Sequence, residues 1–430
     1  MEARKILAVI AALGLAGAAL ADEPPAKGPM PVKEFTGKDL PAPEPGQGAW
    51  DAAPHGKWCF GVAICGPWVY AASGQTGYVL RFERDPATAN LEYKGATAYE
   101  RRTAEGENGC ALHVRRPPDG KPILYLLYSN HKECSLYGYD VDDKTGSLAL
   151  KGKFDAFADA QGEVSGGHGY PVWQWSPDQK RLYLVGVKKI VWWGFNEDGL
   201  PVQEGKVPCA HPGNAPEGVA LFSPDGRHLY SMFVKPTPNG TAFYQVDAYD
   251  YDPETGGLTF NSTLDVPDTP LSDRNDQGGF QEFLDITPDG RQAYLLDQRA
   301  SSYHVLARDV EKGTLSVLTS GTPDPSMRGV SGPHWSRGGK FAFSADGRTG
   351  YYLGNGTFGW FTRDPATGAL TAYSSLRGTW ARIELDAAEG NLFLVGGEKI
   401  SSFLVPGAKK EAPPPDKETL DALRGKYGNQ

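Results

Sequence analysis

Apolar and polar positions alternate in short runs from Trp58 to Pro406, and clusters of Pro, Asp, Asn and Gly bound each run. Runs such as RLYLV from Arg181, HLYSM from His228 and QAYLL from Gln292 are rich in β-branched and aromatic residues. That composition suits strands with one face against a core. A period of 3.6 residues is almost absent across the same span, so the pattern predicts an all-β region.

The boundaries repeat as well. One phrase appears as SPDQKRLYLV from Ser176, SPDGRHLYSM from Ser223, TPDGRQAYLL from Thr287 and SADGRTGYYL from Ser344. Weaker copies are PPDGKPILYL from Pro117 and DAAEGNLFLV from Asp386. A second phrase follows each: FERDPATANL from Phe82, YDVDDKTGSL from Tyr139, FNEDGL from Phe195, YDYDPETGGL from Tyr249, ARDVEKGTL from Ala307 and FTRDPATGAL from Phe361. In PDG, Pro fixes φ, Asp bonds to nearby backbone and Gly accepts a positive φ, which makes a tight reversal; DPxTG is a second reversal of that kind. Each unit therefore reads as four antiparallel strands. Seven such units predict a seven-bladed β-propeller over residues 51–407. A first unit from Trp58 lacks the turn phrase but keeps the strand WVYAAS at Trp68.

The last unit stops after SSFLVPG near Gly407 with three strands only. A closed ring needs a fourth. The segment PVKEF (31–35), inside the Pro- and Gly-rich stretch 22–50, is expected to supply it, the alternative being the tail after Gly407. Residues 408–416 read as an extended linker, and Asp416 as the cap of a short helix ending near Lys426.

The first 21 residues carry Arg4 and Lys5, then an apolar run from Ile6 to Leu20 and small residues at Ala19 and Ala21. This is the layout of a cleaved secretory signal peptide, and the run is too short to span a bilayer. A periplasmic or extracellular location is expected. A net charge of −9 offers no attraction to nucleic acid or an anionic membrane surface. Five cysteines fit no zinc spacing, and no CxxCH haem site or quinone-enzyme motif is present. His131 and Cys134, with Cys110 and His113 nearby in the same unit, could hold a metal, but cysteines that happen to lie close are commoner, so no metal and no cofactor are expected. Cys59 and Cys110 begin inner strands of neighbouring units and are the better disulfide pair; Cys209 pairs with Cys134 or stays a thiol.

SPDGRHLY followed by YDPETGGLTF closely resembles the repeat of lactonase-type seven-bladed propellers, the group of bacterial 6-phosphogluconolactonase propellers and fungal muconate-cyclising enzymes. The resemblance covers most of residues 58–405. It implies a lactone-opening activity on a small cyclic ester. Members commonly carry a G-P-R-H stretch where an inner strand begins. Here those stretches read ENGCALHV, GGHGYPVW, APEGVALF, FQEFLDI and SGPHWSRGG. His113 occupies the His position without a preceding Arg, and Gly332-Pro333-His334 keeps Gly, Pro and His.

Propeller geometry places the short stereotyped turns on one rim. The long variable segments 96–110, 154–170, 206–217, 263–282 and 320–338 lie on the other, where function concentrates. His113, His131, His168, His211 and His334 fall on that second rim or just inside it, with Arg274, Asp276, Gln281 and Arg299. Glu217 and Glu282 begin inner strands of adjacent units. A His or Glu there would act as general base on water and an Arg would hold the developing oxyanion. The candidate catalytic residues are His113, His168, Glu217, Glu282, Arg299 and His334. The competing reading is a non-catalytic propeller that binds a protein or glycan on the same rim. Trp173, Trp175 and Trp335 are expected to wedge between units as core.

Overall fold

The computed structural model describes residues 29–36, 59–73, 77–99, 109–117, 120–129, 134–154, 172–186, 188–211, 216–236, 242–269, 282–297, 302–321, 340–354, 357–377, 382–396 and 399–405. The proposed signal peptide and the segment 408–430 with its short helix lie outside these residues. Among the described residues no helix is long and apolar enough to cross a membrane.

Every described element is a strand. Strand β1 is Met30–Thr36. Blade 1 is β2 (Cys59–Cys65), β3 (Trp68–Ser73), β4 (Tyr78–Arg84) and β5 (Leu91–Ala98); blade 2 is β6 (Gly109–Arg115), β7 (Ile123–Ser129), β8 (Cys134–Val141) and β9 (Leu148–Phe154). Blade 3 is β10 (Val172–Trp175), β11 (Leu182–Val185), β12 (Lys189–Phe195) and β13 (Pro201–Pro208); blade 4 is β14 (Pro216–Phe222), β15 (His228–Pro236), β16 (Ala242–Tyr251) and β17 (Leu258–Thr269). Blade 5 is β18 (Glu282–Ile286), β19 (Gln292–Asp297), β20 (Ser302–Arg308) and β21 (Leu315–Gly321); blade 6 is β22 (Lys340–Phe343), β23 (Thr349–Gly354), β24 (Thr357–Arg363) and β25 (Leu370–Arg377). Blade 7 is β26 (Arg382–Asp386), β27 (Asn391–Gly396) and β28 (Lys399–Leu404), with β1 as its outermost strand.

All seven sheets are four-stranded; their first strands neighbour one another from β10 through β26, from β26 to β2 and from β2 to β6, and blades 2 and 3 pack through a shared apolar cluster. The chain is a closed seven-bladed propeller. The N-terminal segment closes it: Met30 pairs with Leu404, Phe35 with Ile400 and Thr36 with Lys399. The tail beyond Gly407 is not needed for the last sheet. Burial of Phe35 against Phe82 of blade 1, at 5.2 Å between ring centroids, gives β1 an apolar anchor. The Glu34 carboxylate adds a polar one, accepting from Lys399 Nζ and from the Ser401 hydroxyl, each at 3.3 Å.

The repeated phrases do what their chemistry dictates, with one addition. In each full PDG-type turn the preceding hydroxyl donates to the turn aspartate: Ser176 to Asp178 at 2.6 Å, Ser223 to Asp225 at 2.5 Å, Thr287 to Asp289 at 2.5 Å, Ser344 to Asp346 at 2.6 Å. In the second turn the threonine closes on its own aspartate, as Thr255 does on Asp252 at 2.6 Å. The glycine that follows sits at positive φ, +64° at Gly146, where a Cβ would come within 2.3 Å of the Trp68 ring. These turns touch the preceding blade, so their uniformity is a packing requirement as well as a local one.

Between blades the core is continuous and aromatic. Trp173 and Trp175 pack into the wedge between blades 2 and 3, as expected of core residues. Blade 4 differs from expectation in length: β16 and β17 have 10 and 12 residues, so the segment from 263 to 269, expected as loop, is strand.

Candidate functional site

The first strand of each blade runs from the variable rim to the turn rim and lines the axis. Glu217 is the second residue of β14 and Glu282 the first of β18, so both stand at the variable rim on adjacent innermost strands. Glu217 lies where the register shifts between Pro216 and Val219, a bulge that re-aims the backbone at that rim. The side chains of Glu217 and Glu282 lie outside the described residues. So do His168, Arg299, His334, His131, Arg274, Asp276, Gln281 and Trp335 in their entirety.

His113 is described and sits fifth of seven residues in β6, nearer the turn rim than the variable one. Its ring is half-buried and stacks on Trp175, with centroids 4.5 Å apart and planes 14° from parallel. Trp175 in turn stacks on Phe195 at 5.0 Å, and the Arg115 guanidinium covers the Phe195 ring at 4.9 Å. The structure therefore places His113 in an aromatic column between blades 2 and 3, apart from the two glutamates.

The expected disulfide between Cys59 and Cys110 joins strands that are indeed neighbours, β2 and β6, but both side chains lie outside the described residues. Cys209 is a buried free thiol. It donates to the Gly186 carbonyl at 3.0 Å, and burial, followed by the charge of Asp247, pushes it up to about 12. It stays protonated and unreactive at neutral pH.

One arrangement on the variable rim emerges only in three dimensions. The link after β13 passes Cys209, Ala210 and His211 across the wedge between blades 3 and 4. The Cys209 amide donates to the Lys188 carbonyl at 2.9 Å, and the Ala210 amide donates to the Tyr249 hydroxyl at 3.1 Å. His211 Nδ1 then lies 3.1 Å from both carboxylate oxygens of Asp247. Asp247 belongs to β16, is wholly buried, and also accepts from the Thr263 hydroxyl at 2.6 Å. The His211 side chain keeps 34 % of its surface exposed. Sequence reasoning placed His211 on this rim but missed its partner. The signal available was a carboxylate inside a strand, five residues before Asp252, where the other blades carry Leu80, Tyr137, Val191, His304 and Gly359.

Comparison with known proteins bears on the fold. No family model matches the chain, and no curated protein matches it in sequence. Solved structures do. A periplasmic gluconolactonase of Pseudomonas aeruginosa superposes with a TM-score of 0.55 at 20% identity, covering 84% of this chain and 92% of that one. A Lactobacillus plantarum protein superposes at 0.51 with 15% identity, over 74% and 84% of the two chains. A putative 6-phosphogluconolactonase of Bacteroides uniformis superposes at 0.50 with 18% identity, over 73% and 84%. What this chain shares with them is the seven-bladed propeller fold.

Proposed function

We propose that the chain is an exported hydrolase that opens a small sugar-type lactone at its variable rim. The observation that carries this reading is the placement of Glu217 and Glu282 at the start of adjacent innermost strands, on the rim free of stereotyped turns. The fold it shares with a gluconolactonase supports the substrate class. The layout of residues 1–21 supports export.

Lactone opening needs a base to draw a proton from water, a cation or amide donors for the oxyanion, and an acid for the departing alkoxide. On this reading Glu217 and Glu282 contribute carboxylates as hydrogen-bond acceptors for sugar hydroxyls, and a His or Glu of the rim acts as the base. The same reading assigns His168, Arg299 and His334 to this rim, Arg299 as the oxyanion partner. His113, stacked in the blade wedge, is assigned to holding the neighbouring inner strand in place.

The test is hydrolysis of a panel of aldono-γ- and δ-lactones, followed by acid release. The wild type is expected to turn over at least one member. Glu217→Gln and Glu282→Gln are each expected to lower kcat by roughly 100-fold while the melting temperature stays unchanged. Absence of turnover across the whole panel rejects the reading.

A further inference from the structure

Four of the eight histidines have described side chains, and their surroundings differ sharply. His113 is stacked on Trp175. His228 is buried, with Nδ1 accepting from Arg308 Nη2 at 2.7 Å. His304 is buried, with Nδ1 2.7 Å from the Ser320 hydroxyl. His211 alone among these combines an exposed edge, a place on the variable rim and a buried carboxylate behind its other nitrogen.

That combination has a defined chemical meaning. A buried carboxylate bonded to Nδ1–H fixes the tautomer, leaves the Nε2 lone pair outward and stabilises the imidazolium once a proton arrives. Asp247 is itself held by Thr263, so the pair is fixed from behind. The link is fixed from the side by the backbone bonds at Cys209 and Ala210. A second polar side chain accompanies Asp247 on the same strand: Gln245, 2 % exposed, donates through Nε2 to Asp265 at 2.7 Å, while its buried Oε1 makes no hydrogen bond among the described residues. A buried amide oxygen left open beside this pair is an acceptor for a ligand hydroxyl or a bound water.

We infer that His211 is the general base of the lactone-opening reaction and Asp247 its positioning residue; this rests on the lactonase reading above. His211 Nε2 takes a proton from water as the water oxygen bonds to the lactone carbonyl carbon. The tetrahedral intermediate then breaks the ring C–O bond, and the imidazolium returns its proton to the departing alkoxide. The product is the open hydroxy acid, and no other reactant is consumed.

The experiment uses the full chain and the aldonolactone panel. His211→Ala is expected to lower kcat on an accepted lactone by at least about 100-fold, with KM within a factor of about two, and added imidazole is expected to restore part of the rate. Asp247→Asn is expected to lower kcat by about 10- to 100-fold with KM within a factor of about two, and Asp247→Glu to recover part of the loss. A purely structural role would give neither imidazole rescue nor a loss confined to kcat. His211→Gln, with melting temperature measured for all variants, guards against misfolding. If the wild type hydrolyses a lactone and both His211 variants stay within threefold of it, the inference is overturned and the lactonase reading stands. If the wild type hydrolyses none, both fall.

Discussion

Arg308 has no exposed side-chain surface and ties four groups together across blades 4 and 5. It donates from Nε to the Tyr230 hydroxyl at 2.7 Å, from Nη1 to the Gly290 carbonyl at 2.9 Å, and from Nη2 to Asp225 and to His228 Nδ1. His228 must be neutral to accept that bond. Burial, and then the Arg308 charge, hold it below the ordinary histidine value of 6.5. A histidine kept neutral in the fold leaves stability unaffected above that value. Stability is lost as pH falls below 6.5 and through the lowered folded value, because the unfolded chain takes up the proton more readily. Blade 5 places Gln292 at the equivalent position, where Oε1 accepts from Arg363. His228→Gln is therefore expected to fold, and to show a smaller loss of denaturation midpoint between pH 8 and 5 than the wild type. A slope identical in both proteins counts against the assignment. The sequence showed His228 in its turn. It did not show Arg308, 80 residues away, because that contact depends on how far one blade is rotated against the next. The pairing of Asp247 with His211 was illegible for the same reason: nothing in strand β16 announces that the link from the previous blade crosses it.

At the scale of strands and turns, one bond recurs around the ring. The tyrosine of the second strand of each of blades 1 to 5 donates to the glycine carbonyl of the DPxTG-type turn in the next blade. The pairs are Tyr70 to Gly146, Tyr125 to Gly199, Tyr183 to Gly256, Tyr230 to Gly313 and Tyr294 to Gly368, all at 2.7–2.8 Å. Tyr351 holds that position in blade 6. Blade 7 has no such turn, because β1 replaces a strand that would have followed β28 directly, and the buried Tyr351 hydroxyl makes no hydrogen bond among the described residues. The ladder breaks where the chain changes direction of supply. Tyr183→Phe is expected to cost about 1 kcal/mol and leave a carbonyl unsatisfied, whereas Tyr351→Phe is expected to cost close to nothing. Chemical denaturation of the two variants decides between them; equal losses would mean the hydroxyls serve only packing. Both turn phrases, and so the strand count and the division of the two rims, were readable in the sequence. The tyrosines were visible too, as strand residues, but their partners lie some 73–83 residues downstream and needed the ring to be built first.

For the whole molecule the decisive junction is β1 against β28. Its expectation came from arithmetic alone: seven first strands were present and only six complete sets of four. Without β1 the buried edge of β28 would face solvent as a row of unpaired backbone groups beside Ile400 and Phe403. Deleting residues 1–36 is therefore expected to abolish the cooperative melting transition or drive association through that edge, measured by scanning calorimetry and size-exclusion chromatography. Adding a peptide that carries residues 29–36 is expected to restore the monomer in part, by the route through which a free strand completes an open sheet. A monomeric deletion variant with wild-type melting behaviour would show that closure contributes little.

The junction also sets an order of events. Glu34 and Lys399 are 365 residues apart and meet only when the ring shuts. Strand β1 has no partner until β28, some 365 residues later, has been synthesised, and a contact of that span is slow to form. The nascent chain must therefore live through a long interval with one unpaired strand and one bare edge, and this is when a holding chaperone would matter most to its yield.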